Sequence, residues 1–176
     1  MKLIFIHGSG GYGGVWRYQT AYFPDSEAIN LPGHPQGQPC KSVEEYTDWP
    51  MFWDQPRDYK DVVLAGHSLG GAIAMIYALK HPEDLTGLVL TGTGARLKVH
   101  PAFIELAEKA IKGDPEDWYR WLEETYRLVE EGFKNELIQW YKATGAAIQL
   151  GDFLCCDNFD IMDRVQEIKL PTLIIC

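Results

Sequence analysis

The chain has no apolar run near the roughly 20 residues that a bilayer-crossing helix needs, so no membrane span is expected. It has no basic cluster either. Its 16 Lys and Arg residues stand against 25 Asp and Glu, for a net charge of −9. Binding to nucleic acid or to an anionic membrane surface calls for the opposite sign, and neither is expected as a partner. Cysteine is sparse, with only Cys40, Cys155, Cys156 and Cys176. Their spacing fits no zinc template, and the vicinal pair is poorly placed for an ordinary bridge. Reduced thiols in a cytoplasmic protein are the expectation, with no metal and no cofactor. Met1 leads directly into an apolar segment without signal-peptide architecture. There is no internal repeat and no low-complexity linker. The 176 residues, 46% of them hydrophobic, are enough for one domain with its own core.

The pattern of elements is α/β, then helical, then β again. Residues 2–7, 27–31, 61–66 and 87–92 are short, continuous apolar runs that read as strands, and residues 69–80 read as a helix. Such runs bracketed by helices indicate a mostly parallel sheet with helices on both faces. Ser42, with Glu45 three residues on, forms a capping box. After Gly94 the pattern turns helical. Phe103 to Lys112 is one helical stretch. Asp114 is expected to cap a second that begins at Pro115. Phe133 to Leu150 continues with Leu137, Trp140, Tyr141 and Ile148 on one stripe. Residues from Asp152 to Ile161 then lead back to the sheet, with Asp160 and Asp163 as capping residues.

The most informative segment is Gly66-His67-Ser68-Leu69-Gly70. It follows the apolar run Asp61 to Ala65 and precedes the helical run from Gly71 to Leu79. A serine on a sharp strand-to-helix turn is lifted above the sheet edge in a strained conformation. Glycines on either side let the crossing backbones approach. The bland alternative is an ordinary glycine-rich turn, and the strand–turn–helix context argues against it.

A second segment supports the first. Lys2-Leu3-Ile4-Phe5-Ile6 opens into His7-Gly8-Ser9-Gly10-Gly11. A glycine-rich loop after a buried strand can aim backbone N–H groups at one point, which is what acyl transfer needs as charge develops on a carbonyl oxygen. The candidate donors are the backbone N–H of Ser9 and that of Leu69. A phosphate-binding loop is the competing reading. It lacks the lysine and the glycine spacing of the nucleotide motifs.

Ile6-His7-Gly8-Ser9-Gly10-Gly11, Asn30-Leu31-Pro32-Gly33-His34, Gly66 to Gly71 and Lys169-Leu170-Pro171-Thr172-Leu173-Ile174-Ile175 resemble, in order and spacing, the landmarks of the α/β-hydrolase superfamily. The resemblance implies Ser68 as the catalytic nucleophile and the N–H groups of Ser9 and Leu69 as its oxyanion hole. It implies a core made of residues 1–94 and 166–176, with residues 95–165 as a helical cap whose aromatics could line an acyl pocket or simply pack the cap. Serine at the elbow argues against the members that cleave epoxides or carbon–halogen bonds, which carry aspartate there. The family hosts many chemistries, so the substrate is not specified.

Triad order in this fold is Ser, then Asp or Glu, then His. The family pattern would supply the last two after the strand at residues 172–176, so the acid and the histidine are expected from beyond Cys176, and the 176 residues alone are expected to be nearly inert. The five histidines present have other expected roles. His7 packs, His34 sits in a turn, and His67 points away from Ser68. His81 ends a helix and His100 starts the insertion. Two functions stay open. One is a serine hydrolase of small, fairly apolar ester, acyl or C–C substrates. The other is a non-catalytic ligand-binding module, or a fragment completed by a C-terminal segment as a separate chain.

Overall fold

The computed structural model describes residues 1–49 and 61–176. Its centre is a sheet of five parallel strands: β1 (Lys2–Ile6), β2 (Ser26–Ile29), β3 (Val62–His67), β4 (Leu85–Thr91) and β5 (Thr172–Ile175), in the order β2-β1-β3-β4-β5. The α/β reading holds, with shifted strand ends. Asn30 and Leu31 lie beyond β2, where the Asn30 side chain accepts a hydrogen bond from the Gly13 N–H (2.7 Å).

The register places the later site. Ile6 pairs with Gly66, and Gly66 with Leu90. The loop leaving β1 and the turn leaving β3 therefore emerge side by side at the carboxyl edge, where open α/β sheets bind ligands.

Among the described residues, α1 (Arg17–Tyr22) and α2 (Val43–Thr47) follow the first two strands, and α3 (Leu69–Lys80) follows β3. Helix α3 is apolar on all sides, and every residue from Leu69 to Ala78 is buried. A helix that is apolar all round must be enclosed. It packs against α2, β1, β3 and β4 and forms the middle of the main core with Ile6, Leu64 and Leu88. The Ser42 cap on α2 is as expected, its hydroxyl accepting from the Glu45 N–H (3.1 Å). The Glu45 carboxylate, however, accepts from the Lys41 N–H (2.8 Å) rather than from Ser42.

Between β4 and β5 run four helices: α4 (Pro101–Ile111), α5 (Glu116–Thr125), α6 (Glu131–Thr144) and α7 (Ala146–Asn158). Two expectations need correction here. Asp114 does not cap α5. Pro115 occupies the cap position, and the Asp114 carboxylate pairs with Lys109 (3.1 Å). The stretch from Phe133 to Leu150 is two helices, because Gly145 at φ 89° turns the chain, and α7 continues through residues read as a return loop. Small cores hold this region together, one around Trp118, Leu122, Ile138 and Tyr141, the other around Tyr12, Phe133 and Leu137.

Candidate active site

The turn after β3 is built by close backbone approach. A Cβ on Gly66 would sit 2.3 Å from the Gly70 carbonyl oxygen, and one on Gly70 would sit 2.3 Å from that of Ile6. Only glycine fits at either point. Between them Ser68 adopts φ 51°, ψ −116°. A non-glycine residue at positive φ is strained by about 1–3 kcal/mol and persists only where its surroundings hold it. Here the Ser68 N–H donates to the Thr91 carbonyl (3.1 Å), and the Ser68 carbonyl accepts from the Thr93 hydroxyl (2.8 Å) and the Gly71 N–H (2.9 Å). Gly71 abuts Thr93, which closes the corner.

The loop after β1 is held as firmly. His7 is fully buried; its Nδ1 donates to the Gly8 carbonyl (2.8 Å) and its Nε2 accepts from the Leu31 N–H (3.0 Å). Both ring nitrogens are committed with the ring neutral. Burial, with nearby His34 adding to it, pushes its pKa down to about 3. The Gly11 N–H also donates to the Gly8 carbonyl (3.1 Å), and the Gly11 carbonyl accepts from Trp140 Nε1 (3.3 Å).

Ser9 and Ser68 border one cavity of about 380 Å³, with Phe103, Trp121 and Phe153 from the helices between β4 and β5 among its walls. A second cavity of about 190 Å³ shares Gly8, His67 and Tyr141 with it. His67 borders both. Crowding by protein lowers its pKa. Among the described residues, which include all five histidines, no ring nitrogen hydrogen-bonds to the Ser68 hydroxyl. His34 is buried against Asp152 and His100 caps α4 through Nδ1 (3.3 Å to the Ala102 N–H). Neither the Ser9 nor the Leu69 N–H is taken by a hydrogen bond among the described residues. No cluster of three His, Cys, Asp or Glu side chains is placed to hold a metal among them, and no helix is long and apolar enough to cross a membrane.

A serine whose backbone is held this way at the foot of a helix, bordering an aromatic-walled cavity beside unclaimed backbone N–H groups, is an arrangement that can serve attack on a carbonyl carbon. The sequence model of the alpha/beta hydrolase fold matches residues 2–148. The chain belongs to the alpha/beta hydrolase fold family. It is 30% identical over 146 residues to a 2-succinyl-6-hydroxy-2,4-cyclohexadiene-1-carboxylate synthase of Enterobacter sp. (strain 638), a match covering 80% of this chain and 52% of that protein. It is 34% identical over 113 residues to a pimeloyl-[acyl-carrier protein] methyl ester esterase of Aromatoleum aromaticum, covering 61% of this chain and 41% of that one. The chain thus spans about half the length of these relatives. A solved thermophilic esterase superposes with a TM-score of 0.75 at 27% identity, over 98% of this chain and 68% of the other.

The group that sequence reasoning missed is Asp152, with its partners His34 and Tyr46. Asp152 is fully buried on α7. Its Oδ2 accepts from the Gly10 N–H (2.8 Å) and contacts His34 Nε2 (2.8 Å), and its Oδ1 accepts from the Tyr46 hydroxyl (2.7 Å). The signal available was a single carboxylate in the otherwise uncharged run from Ala146 to Cys156. Buried charges are paired or they are not tolerated.

Proposed function

We propose that the protein carrying this chain is a serine hydrolase of small, fairly apolar esters, or related acyl or carbon–carbon substrates, working through an acyl-enzyme on Ser68. The observation that carries this reading is the strained backbone of Ser68 at the mouth of the aromatic-walled cavity. Ser68 Oγ attacks the substrate carbonyl carbon while a base takes its proton. The negative oxygen settles against the N–H groups of Ser9 and Leu69. The amino end of α3, which points at the same place, adds its positive partial charge. The tetrahedral intermediate collapses, the leaving group departs with that proton, and water then hydrolyses the acyl-enzyme and restores the serine.

The base is a histidine supported by a carboxylate, both from a segment following Cys176 or from a separate chain. No ring nitrogen of the five histidines hydrogen-bonds to the Ser68 hydroxyl among the described residues, and the matched relatives extend well beyond the part covered by this chain. The same segment would cover β5. The four free thiols favour a reducing, cytoplasmic setting. The esterase names of one relative and one structural neighbour agree with acyl transfer. A fluorophosphonate probe tests the reading on the full native protein. A covalent adduct on Ser68, absent from Ser68→Ala, is expected. A folded protein that takes no adduct rejects catalysis. It would favour a ligand-binding module, the reading supported by the lack of a histidine on the Ser68 hydroxyl.

A further inference from the structure

We infer that Asp152 is a positioning residue that holds the β1 loop in the shape its oxyanion role requires; the inference rests on the reading of Ser68 and Ser9 given above. The argument is a census of one short stretch of backbone. The Gly8 carbonyl is taken by His7 and by the Gly11 N–H. The Ser9 carbonyl accepts from the Tyr141 hydroxyl (3.4 Å), and the Gly10 N–H donates to Asp152 (2.8 Å). The Gly11 carbonyl is taken by Trp140. The Ser9–Gly10 peptide unit is therefore gripped at both ends, by Tyr141 from α6 and Asp152 from α7. Between these contacts the Ser9 N–H has no hydrogen-bond partner among the described residues.

The carboxylate is chosen for this task. Its two oxygens take three contacts, Gly10 N–H and His34 at Oδ2 and the Tyr46 hydroxyl at Oδ1, which the single oxygen of an amide could not accept in the same way. A fully buried carboxylate is costly unless its oxygens are satisfied, and here both are. Tyr46 donates to Oδ1. His34 faces Oδ2 through Nε2 while its Nδ1 donates to the Pro32 carbonyl (3.1 Å), so one proton lies in the His34–Asp152 contact. Gly10 itself, at φ 67°, lies against the Tyr141 ring and Gln149, where a Cβ would come within 2.9 Å of Tyr141. The loop thus takes its shape from the helices between β4 and β5, and the Asp152 carboxyl group is the point at which α7 grips it.

The test is saturation kinetics of fluorophosphonate labelling at Ser68 in the full native protein, wild type against Asp152→Asn, with the Gly10 amide resonance followed in ¹⁵N–¹H spectra. The expected result is a maximal labelling rate lower by roughly 10- to 100-fold, short of the 10²- to 10³-fold cost of deleting a donor outright. The half-saturating probe concentration should stay within about threefold, because ground-state binding is untouched. The Gly10 amide proton should shift as the carboxyl acceptor is replaced by an amide. A folded Asp152→Asn protein that labels at the wild-type rate overturns the inference while leaving Ser68 as nucleophile. A wild-type protein that never labels overturns the parent reading and this one together. If Asp152→Asn does not fold, Tyr46→Phe decides. It removes the donor that fixes Oδ1, which loosens the carboxylate that grips the Gly10 N–H. A roughly 3- to 10-fold slower maximal rate with a shifted Gly10 resonance supports the role, and an unchanged rate overturns it.

Discussion

β3 and β5 are parallel strands of one sheet with similarly apolar sequences, and they end up in opposite circumstances. β3 is buried along most of its length and runs into a strained serine clamped by β4 and the first turn of α3. β5 is exposed at every residue, with Leu173 at 57%, Ile174 at 64% and Ile175 at 46%. An apolar run states only that a segment gains from being covered. Whether it holds a precise geometry depends on what packs around it. The β1–β3 edge has that support from α3, α6 and α7, and it is there that strain is kept.

The sharpest way to break this contrast is Gly66→Ala. The new methyl meets backbone at 2.3 Å, which no side-chain shift relieves. A loss of about 4 kcal/mol or more, in the range that marks a specific structural failure, is expected in urea unfolding. Near-native stability would show that the corner is looser than described.

The buried end of the comparison also has a pH signature. His7 stays unprotonated when folded down to about pH 3 but takes up a proton near pH 6.5 when unfolded. The unfolded chain therefore binds more protons between those values. Stability is fully present above pH 6.5 and falls as pH drops through that window, by up to about 1.4 kcal/mol per pH unit. Urea midpoints measured from pH 7 to pH 4 check this, and His7→Gln should flatten the slope.

Smaller effects sharpen the contrast. Gly151 lies inside α7 with open space around it, so Gly151→Ala should stabilise by about 0.5–1 kcal/mol in thermal melts, the opposite sign from Gly66. On β5, Ile174→Thr in the 176-residue chain should change stability by less than about 0.5 kcal/mol, as exposed positions do. In a longer protein with β5 covered, the same change should cost about 1–2 kcal/mol. Comparing the two proteins by urea unfolding reads out that covering directly.

What the sequence discloses follows the same division. The elbow was legible because Gly66, Ser68 and Gly70 fall within five residues of one another, between two apolar runs of different period. The sheet was legible for the same local reason. The break at Gly145 was hidden because helix-forming residues flank it on both sides, and only its φ separates a tolerated glycine from a turn. Asp152 was hidden because its partners Gly10 and His34 lie 142 and 118 residues away, and no local pattern encodes such a contact.

The central claim is that the β3–α3 corner presents Ser68 as an acylating nucleophile. Its most direct test is intact-protein mass spectrometry on the full native protein, mixed with a short p-nitrophenyl ester and quenched in acid within the first turnover. The account predicts a single acyl adduct that maps to Ser68 and disappears in Ser68→Ala. Ester turnover with no adduct at Ser68, or with the adduct on another residue, would contradict it.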